Sequence, residues 1–202
     1  MSHSIIIVGG GQTGAQAVET LRREGFGGSL TLISDEALLP YQRPPLSKKY
    51  LSAELAADRL LIRHQSFYDE HHVTVRLNTK ATGIDRRARL LSVDGGETIP
   101  YEQLLLCTGA RSRRLTCSGN TLTGVHYLRD VNDVGDLQPK LAAGVRVVIV
   151  GGGYIGLEVA ATSRKLGCSV TVLELADRIM NRVVAPNVSE YSRRNIAERV
   201  SP

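Results

Sequence analysis

The chain twice breaks a β-branched run with a glycine cluster, and that repeated pattern limits its fold more than anything else in it. Ile5-Ile6-Ile7-Val8 runs into Gly9-Gly10-Gly11-Gln12-Thr13-Gly14, and Val147-Val148-Ile149-Val150 runs into Gly151-Gly152-Gly153-Tyr154-Ile155-Gly156. Unbroken β-branched stretches suit strands covered on both faces of a parallel sheet. Beyond the first cluster Ala15, Val18 and Leu21 share one helical face, and beyond the second Ile155, Glu158 and Val159 lie in a helix. A pyrophosphate bound at a helix start needs backbone N–H donors and no intervening side chain, so each cluster reads as a dinucleotide-binding turn. A single such motif is weak evidence. Two copies, each between strand and helix and each followed by an acid about 20 residues on, carry the reading.

The segments around the clusters complete two βαβ units. Leu30 to Ile33 is the second strand of the first unit, and Ser169 to Leu173 that of the second, with Gly167 stopping the helix before it. Short strands are expected at Val73 to Leu77, Lys80 to Asp85 and Leu90 to Val93, with a turn at Asp94-Gly95-Gly96, and a buried strand at Leu104 to Cys107 before Thr108-Gly109. Asp130 to Ala143 has helical spacing at Val134, Leu137 and Leu141, but Pro139 predicts a kinked or shortened helix. Three prolines in Leu39-Pro40-Tyr41-Gln42-Arg43-Pro44-Pro45-Leu46-Ser47-Lys48 exclude regular structure there and leave an ordered loop or a linker. Residues 111 to 128 have no strong periodicity.

Composition narrows the class. With 42% hydrophobic residues, no Trp and two Phe, the core is aliphatic. No apolar run approaches the roughly 18 residues a membrane span needs, and the N-terminus reads as a strand and not a signal peptide, so a cytoplasmic protein is expected. The three cysteines, Cys107, Cys117 and Cys168, form no C-x-x-C pair, and His64, His71, His72 and His126 have no metal-ligand spacing, so no metal site is expected. A net charge of +5 favours an acidic partner. The Arg pairs at 86–87, 113–114 and 193–194 are scattered and lack interleaved aromatics, which argues against nucleic acid.

Asp35 and Glu36 follow the first motif at the spacing of a ribose-binding carboxylate. Glu174 does so after the second; a carboxylate there accepts ribose hydroxyls of NAD and repels the 2′-phosphate of NADP. A solvated strand end is the other reading of Glu174, and Arg178 and Arg182 leave a phosphate contact open.

The proline-rich segment, Thr108-Gly109-Ala110-Arg111 and Gly151-Gly152-Gly153-Tyr154-Ile155-Gly156-Leu157-Glu158 together resemble the FAD-dependent NADH:ferredoxin or rubredoxin reductases. These include reductase components of bacterial aromatic-ring dioxygenases and the putidaredoxin reductase type. The resemblance runs from Ile5 to about Glu190. It implies an electron-transfer flavoprotein, with FAD and NAD as cofactors and a ferredoxin or rubredoxin as partner. By position it puts Gly9, Gly11, Thr13 and Gly14 on the FAD pyrophosphate, Asp35 near the adenosine ribose, Arg43 and Lys48 on the flavin side and Ala81 by the adenine. Thr108, Gly109 and Arg129 would complete this part of the FAD site, while Gly151, Gly153, Ile155, Gly156 and Glu174 would hold NADH. Lys48 and Glu158 would be the catalytic pair, the lysine stabilising negative charge as hydride arrives. Without the resemblance Lys48 reads as a surface charge.

The resemblance also implies an α/β fold of two Rossmann-like dinucleotide-binding units with parallel sheets, the second truncated, and a small antiparallel β-meander in the first. Residues 1–122 would be the N-terminal part of an FAD-binding domain and residues 123–202 a truncated NAD-binding domain. A C-terminal FAD segment and an interface domain are expected to be absent, which makes the chain look like a fragment with weak or no flavin retention. The last residues, from Ser189 to Pro202, start like an amphipathic helix and then lose the family pattern. The proline-rich segment has no cysteine, unlike relatives that reduce disulfides or peroxides, and Cys107 is expected to pack as a small apolar residue. An NADH oxidase type of flavoenzyme and a non-catalytic nucleotide-binding remnant are the alternatives.

Overall fold

The computed structural model describes residues 3–200, with side chains to residue 194. Met1, Ser2, Ser201 and Pro202, on which the terminal readings partly rest, lie outside the described residues. The chain divides into two compact units, each discontinuous in sequence: one takes Met1–Gln42 and Asp58–Arg111, the other Arg43–Ala57 and Ser112–Pro202.

In the first unit β1 (Ser4–Val8) lies between β2 (Ser29–Ile33) and β7 (Gln103–Leu106), with β3 (Val73–Arg76) outside β2, all parallel. The β-branched run of β1 alternates between two cores. Ile5 and Ile7 pack with Val18, Leu30, Leu32, Tyr68, Val73 and Cys107, a core to which α1 (Gln12–Arg23) and α2 (Gln65–Glu70) contribute. Ile6 and Val8 pack with Ile33, Leu91 and Val93. Leu91 and Val93 come from a meander of β4 (Ala81–Asp85), β5 (Leu90–Val93) and β6 (Thr98–Pro100). Both faces of the sheet are therefore covered, as the apolar runs require.

Local chemistry shapes the connections. The Asp85 side chain accepts the N–H groups of Arg87 and Ala88 and closes the first hairpin, and Asp94-Gly95-Gly96 forms a tight 3₁₀ turn into β6. Sequence periodicity does not show β6, whose three residues end in proline, a residue tolerated on an edge strand such as this one. Arg22, in the last turn of α1, donates from Nε to the His71 carbonyl at 2.8 Å, from Nη1 to the Gly28 carbonyl at 2.9 Å and from Nη2 to the His72 carbonyl at 3.1 Å. One guanidinium thus ties the end of α1 to the turn before β2 and the turn before β3.

In the second unit the proline-rich segment is ordered. Pro44–Ser47 forms a 3₁₀ helix with prolines at its start, where no N–H is needed, and its Leu46 and Ser47 are buried. Asp130 and Asp133 form a capping box on α3 (Val131–Leu137), which Pro139 shortens into a 3₁₀ turn at Gln138–Lys140. β8 (Arg146–Val150) and β9 (Ser169–Leu173) pair in parallel through α4 (Tyr154–Lys165), and α5 (Pro186–Val200) follows. This two-stranded sheet alternates half-buried and exposed residues, and Val148, Val150 and Leu173 on its open face are more than half exposed.

Leu32 is fully buried in the first unit, whereas Leu175 is fully exposed. Leu32→Ala should therefore cost about 2–5 kcal/mol of stability in urea unfolding followed by far-ultraviolet circular dichroism, and Leu175→Ala less than about 0.5 kcal/mol. Equal losses would contradict the burial assigned to Leu32.

Candidate functional site

Each glycine turn is built the same way. The N–H of Gly9 donates to the Ile33 carbonyl at 2.8 Å, and that of Gly151 to the Leu173 carbonyl at 2.7 Å. Both glycines turn the chain with positive φ, +121° at Gly9 and +111° at Gly151, a conformation that side chains resist. The last glycine of each cluster sits on the first. A Cβ at Gly14 would lie 2.1 Å from the Gly9 carbonyl oxygen, and one at Gly156 would lie 2.0 Å from that of Gly151. Only hydrogen lets helix and strand approach this closely. The middle glycines, Gly11 and Gly153, face open space instead.

Gly11 and Gly153 are also the N-caps of α1 and α4, and neither helix has a side-chain cap or an acid in its first turn. Their first-turn N–H groups and positive helix ends are thus left for an anion. Open space at the middle glycine, close packing of the last glycine on the carbonyl of the first and an uncapped helix start together fit a dinucleotide pyrophosphate at each turn.

Of the first-unit residues expected at such a site, two border its turn. Thr13 is in the first turn of α1, and Thr108 follows β7, its backbone N 3.1 Å from where a Cβ on Gly9 would be. Gly109 follows with φ +65°, Asp35 is exposed just beyond β2, and Ala81 opens β4 opposite Val93. Sequence reasoning missed Ser34, buried against Gly10, whose Oγ accepts the Glu36 N–H at 3.2 Å. It also missed the buried Tyr41, whose hydroxyl donates to the Glu36 carboxylate.

In the second unit Glu174 occupies the place that Ser34 takes in the first, directly after the second strand. Its carboxylate accepts the Ala176 N–H at 2.9 Å and the Gly152 N–H at 2.6 Å. These two backbone donors hold its pKa below the ordinary glutamate value. The loop beyond folds back as well, since the Met180 N–H donates to the Gly152 carbonyl at 2.9 Å. Arg178 donates to the carbonyls of Val184 and Asn181 at 2.9 and 3.0 Å, so its guanidinium is engaged in shaping this loop. Ile155 stands half exposed at the start of α4.

The proline-rich segment brings a second cluster to α4. Lys48 Nζ lies 2.6 Å from Glu158 Oε2 and donates to the Pro44 carbonyl at 3.0 Å. Ser47 Oγ donates to the same Glu158 oxygen at 2.5 Å, and the Thr162 hydroxyl donates to the Ser47 carbonyl at 2.8 Å. A partly exposed lysine–glutamate pair alone contributes only about 0.2–1 kcal/mol, so the two hydroxyl contacts matter to its geometry. Arg43 Nη1 donates to the Arg129 carbonyl at 2.8 Å, while the Arg129 N–H donates to Asp133 at 2.6 Å. The structure therefore joins Lys48 to Glu158 and Arg43 to Arg129. Ser47 and Thr162 were missed, although Ser47 adjoins Lys48 and Thr162 lies one helical turn beyond Glu158.

The cysteines are free thiols. Cys107 is packed in the first core, where burial raises its pKa, Cys168 is buried and Cys117 is exposed. Among the described residues no group of His, Cys, Asp and Glu could hold a metal, and no helix is long and apolar enough to cross a membrane.

Two glycine turns of one geometry, each between a parallel strand and a helix, define an α/β dinucleotide-binding architecture. The family model described as pyridine nucleotide-disulphide oxidoreductase matches residues 3–200, and the chain belongs to that family. It is 44% identical over 190 residues to the rubredoxin-NAD(+) reductase of Pseudomonas putida, covering 94% of this chain and 49% of that protein. The solved ferredoxin reductase for the CYP199A2 system from Rhodopseudomonas palustris matches with a TM-score of 0.94 at 38% identity, over 98% of this chain and 49% of that one. Putidaredoxin reductase, in its covalent complex with putidaredoxin, matches with a TM-score of 0.92 at 34% identity, over 98% and 48%. The chain thus spans about half the length of the relatives it matches.

Because the folded-state pKa of Glu174 is lowered, its hold on the turn is complete above the ordinary glutamate value of 4.5 and is lost as pH falls through the lower folded value. The Gly152 amide proton resonance should therefore titrate only below pH 4.5 and stay flat over the same range in Glu174→Gln. A midpoint at or above that value would contradict the two backbone contacts.

Proposed function

We propose that the chain supplies the nucleotide-binding framework of an FAD-dependent NADH:ferredoxin or rubredoxin reductase, a cytoplasmic electron-transfer protein of the kind that serves aromatic-ring dioxygenases. The observation that carries this reading is the pair of uncapped glycine turns, accompanied by a fixed Lys48–Glu158 pair in a segment with no cysteine. When bound, FAD supplies the conversion of a two-electron hydride from NADH into two single-electron transfers.

In this reading residues 1–122 are the FAD-binding part and residues 123–202 the NAD-binding part. Gly9, Gly11, Thr13 and Gly14 receive the FAD pyrophosphate, Asp35 its ribose and Ala81 its adenine, with Thr108, Gly109, Arg43 and Arg129 completing the site. Gly151, Gly153, Ile155 and Gly156 receive the NADH pyrophosphate. Glu174, a carboxylate kept ionised by backbone donors, disfavours the 2′-phosphate of NADPH. Arg178 is committed to loop carbonyls, which favours NADH further. Lys48 places a cation where negative charge develops during hydride transfer, and Glu158 holds that cation. With no cysteine in the proline-rich segment, electrons leave to an external carrier and not through a protein dithiol. A net charge of +5 suits an acidic iron–sulfur or iron protein.

The test combines calorimetry with turnover on the chain supplied with excess FAD. NADH should bind at least tenfold more tightly than NADPH, and cytochrome c reduction by NADH should require added ferredoxin or rubredoxin. Oxygen consumption at the same rate without a carrier would contradict the carrier assignment and favour an oxidase. Nucleotide binding without carrier-dependent turnover would overturn the electron-transfer reading and leave a nucleotide-binding protein.

A further inference from the structure

We infer that Ser47 is a positioning residue for the Lys48–Glu158 pair, and that the hydroxyl of Ser47, rather than the ion pair alone, sets where the Lys48 ammonium stands. The functional part of this inference rests on the reading of Lys48 proposed above; the geometric part does not.

Lys48 and Glu158 are both partly exposed, at 46% and 32% of their side chains. Charges this wet attract weakly, and two long side chains lose rotamer freedom when held in one arrangement. Ser47 differs in kind: it is 4% exposed, and a buried hydroxyl needs a partner. Its Oγ donates at 2.5 Å to Oε2 of Glu158, the same oxygen that meets Lys48 Nζ at 2.6 Å. Buried serines commonly bond to nearby backbone. This one reaches a carboxylate 111 positions away in sequence.

The carbonyl of Ser47 is held too, by the buried hydroxyl of Thr162 at 2.8 Å. Glu158 and Thr162 are four residues apart on α4 and share one face, so Ser47 is gripped at side chain and main chain by neighbouring groups of one helix. Lys48 follows directly and inherits that placement. Its ammonium has three donors, of which one meets Glu158 and one the Pro44 carbonyl, leaving the third for an acceptor on a bound molecule.

The decisive experiment needs no cofactor. The folded chain is treated with limiting acetic anhydride, and acetylation of Lys48 is compared by mass spectrometry with that of its exposed neighbour Lys49. Lys48 should react several-fold more slowly than Lys49, and Ser47→Ala should reduce that protection at least threefold. Ser47→Cys keeps the size of the side chain but donates weakly, so it should behave like the alanine variant if Ser47→Ala does not fold. Protection of Lys48 unchanged in a folded variant would overturn the inference.

The functional part is read in the FAD-supplied protein by anaerobic stopped flow. Ser47→Ala should slow flavin reduction by NADH about fivefold while the NADH dissociation constant stays the same. A loss confined to NADH binding, or an unchanged rate despite altered acetylation, would show that Ser47 does not act on the reaction. If no variant or wild-type chain is reduced by NADH, the proposed function fails, and the acetylation result still decides whether Ser47 positions Lys48.

Discussion

Everything distinctive in this chain depends on how closely a helix start can approach the end of a strand. At both turns the last glycine of the cluster lies against the carbonyl of the first, where a Cβ would come within about 2 Å of backbone oxygen. Any side chain there would push α1 off β1, or α4 off β8, and move the first-turn N–H groups away from where they converge. The same approach leaves those N–H groups without side-chain caps, a cost that a bound anion offsets. Packing and binding are consequences of one steric condition.

The two units meet that condition with different surroundings. In the first, a four-stranded parallel sheet is covered by helices on one face and by the meander on the other, and every residue of β1 beyond Ser4 is buried. In the second, the sheet has two strands and its open face shows Val148, Val150 and Leu173 to solvent. The residues behind the turns differ as well. Ser34 stands beside Gly10 as a neutral hydroxyl, whereas Glu174 stands beside Gly152 as an anchored carboxylate. Similar backbones therefore present different chemistry next to the two glycine turns.

How much of this was legible in the sequence follows from the range of each interaction. β1, β2, β8, β9, α1 and α4 could be read because β-branched runs, glycine spacing and helical periodicity are local signals. Shortening of α3 at Pro139 was readable for the same reason. β6 was not, being too short to show a period, and neither was the 3₁₀ helix at Pro44–Ser47, since prolines exclude regular structure without naming the turn that replaces it. At the candidate site the glycines, Glu174 and the Lys48–Glu158 pair were visible through motif and resemblance. Ser47, Thr162, Ser34 and Tyr41 were not. Their roles depend on partners brought near by folding, as when Ser47 meets Glu158, and a lone serine or threonine carries no mark of such a partner.

The most direct measurement is nuclear magnetic resonance mapping of the glycine amides during separate titrations with FAD and NADH. FAD should shift Gly9, Gly11 and Gly14 while leaving the second cluster in place, and NADH should shift Gly151, Gly153 and Gly156 while leaving the first. Both nucleotides moving the same cluster, or neither moving any glycine amide, would contradict two separate pyrophosphate cradles.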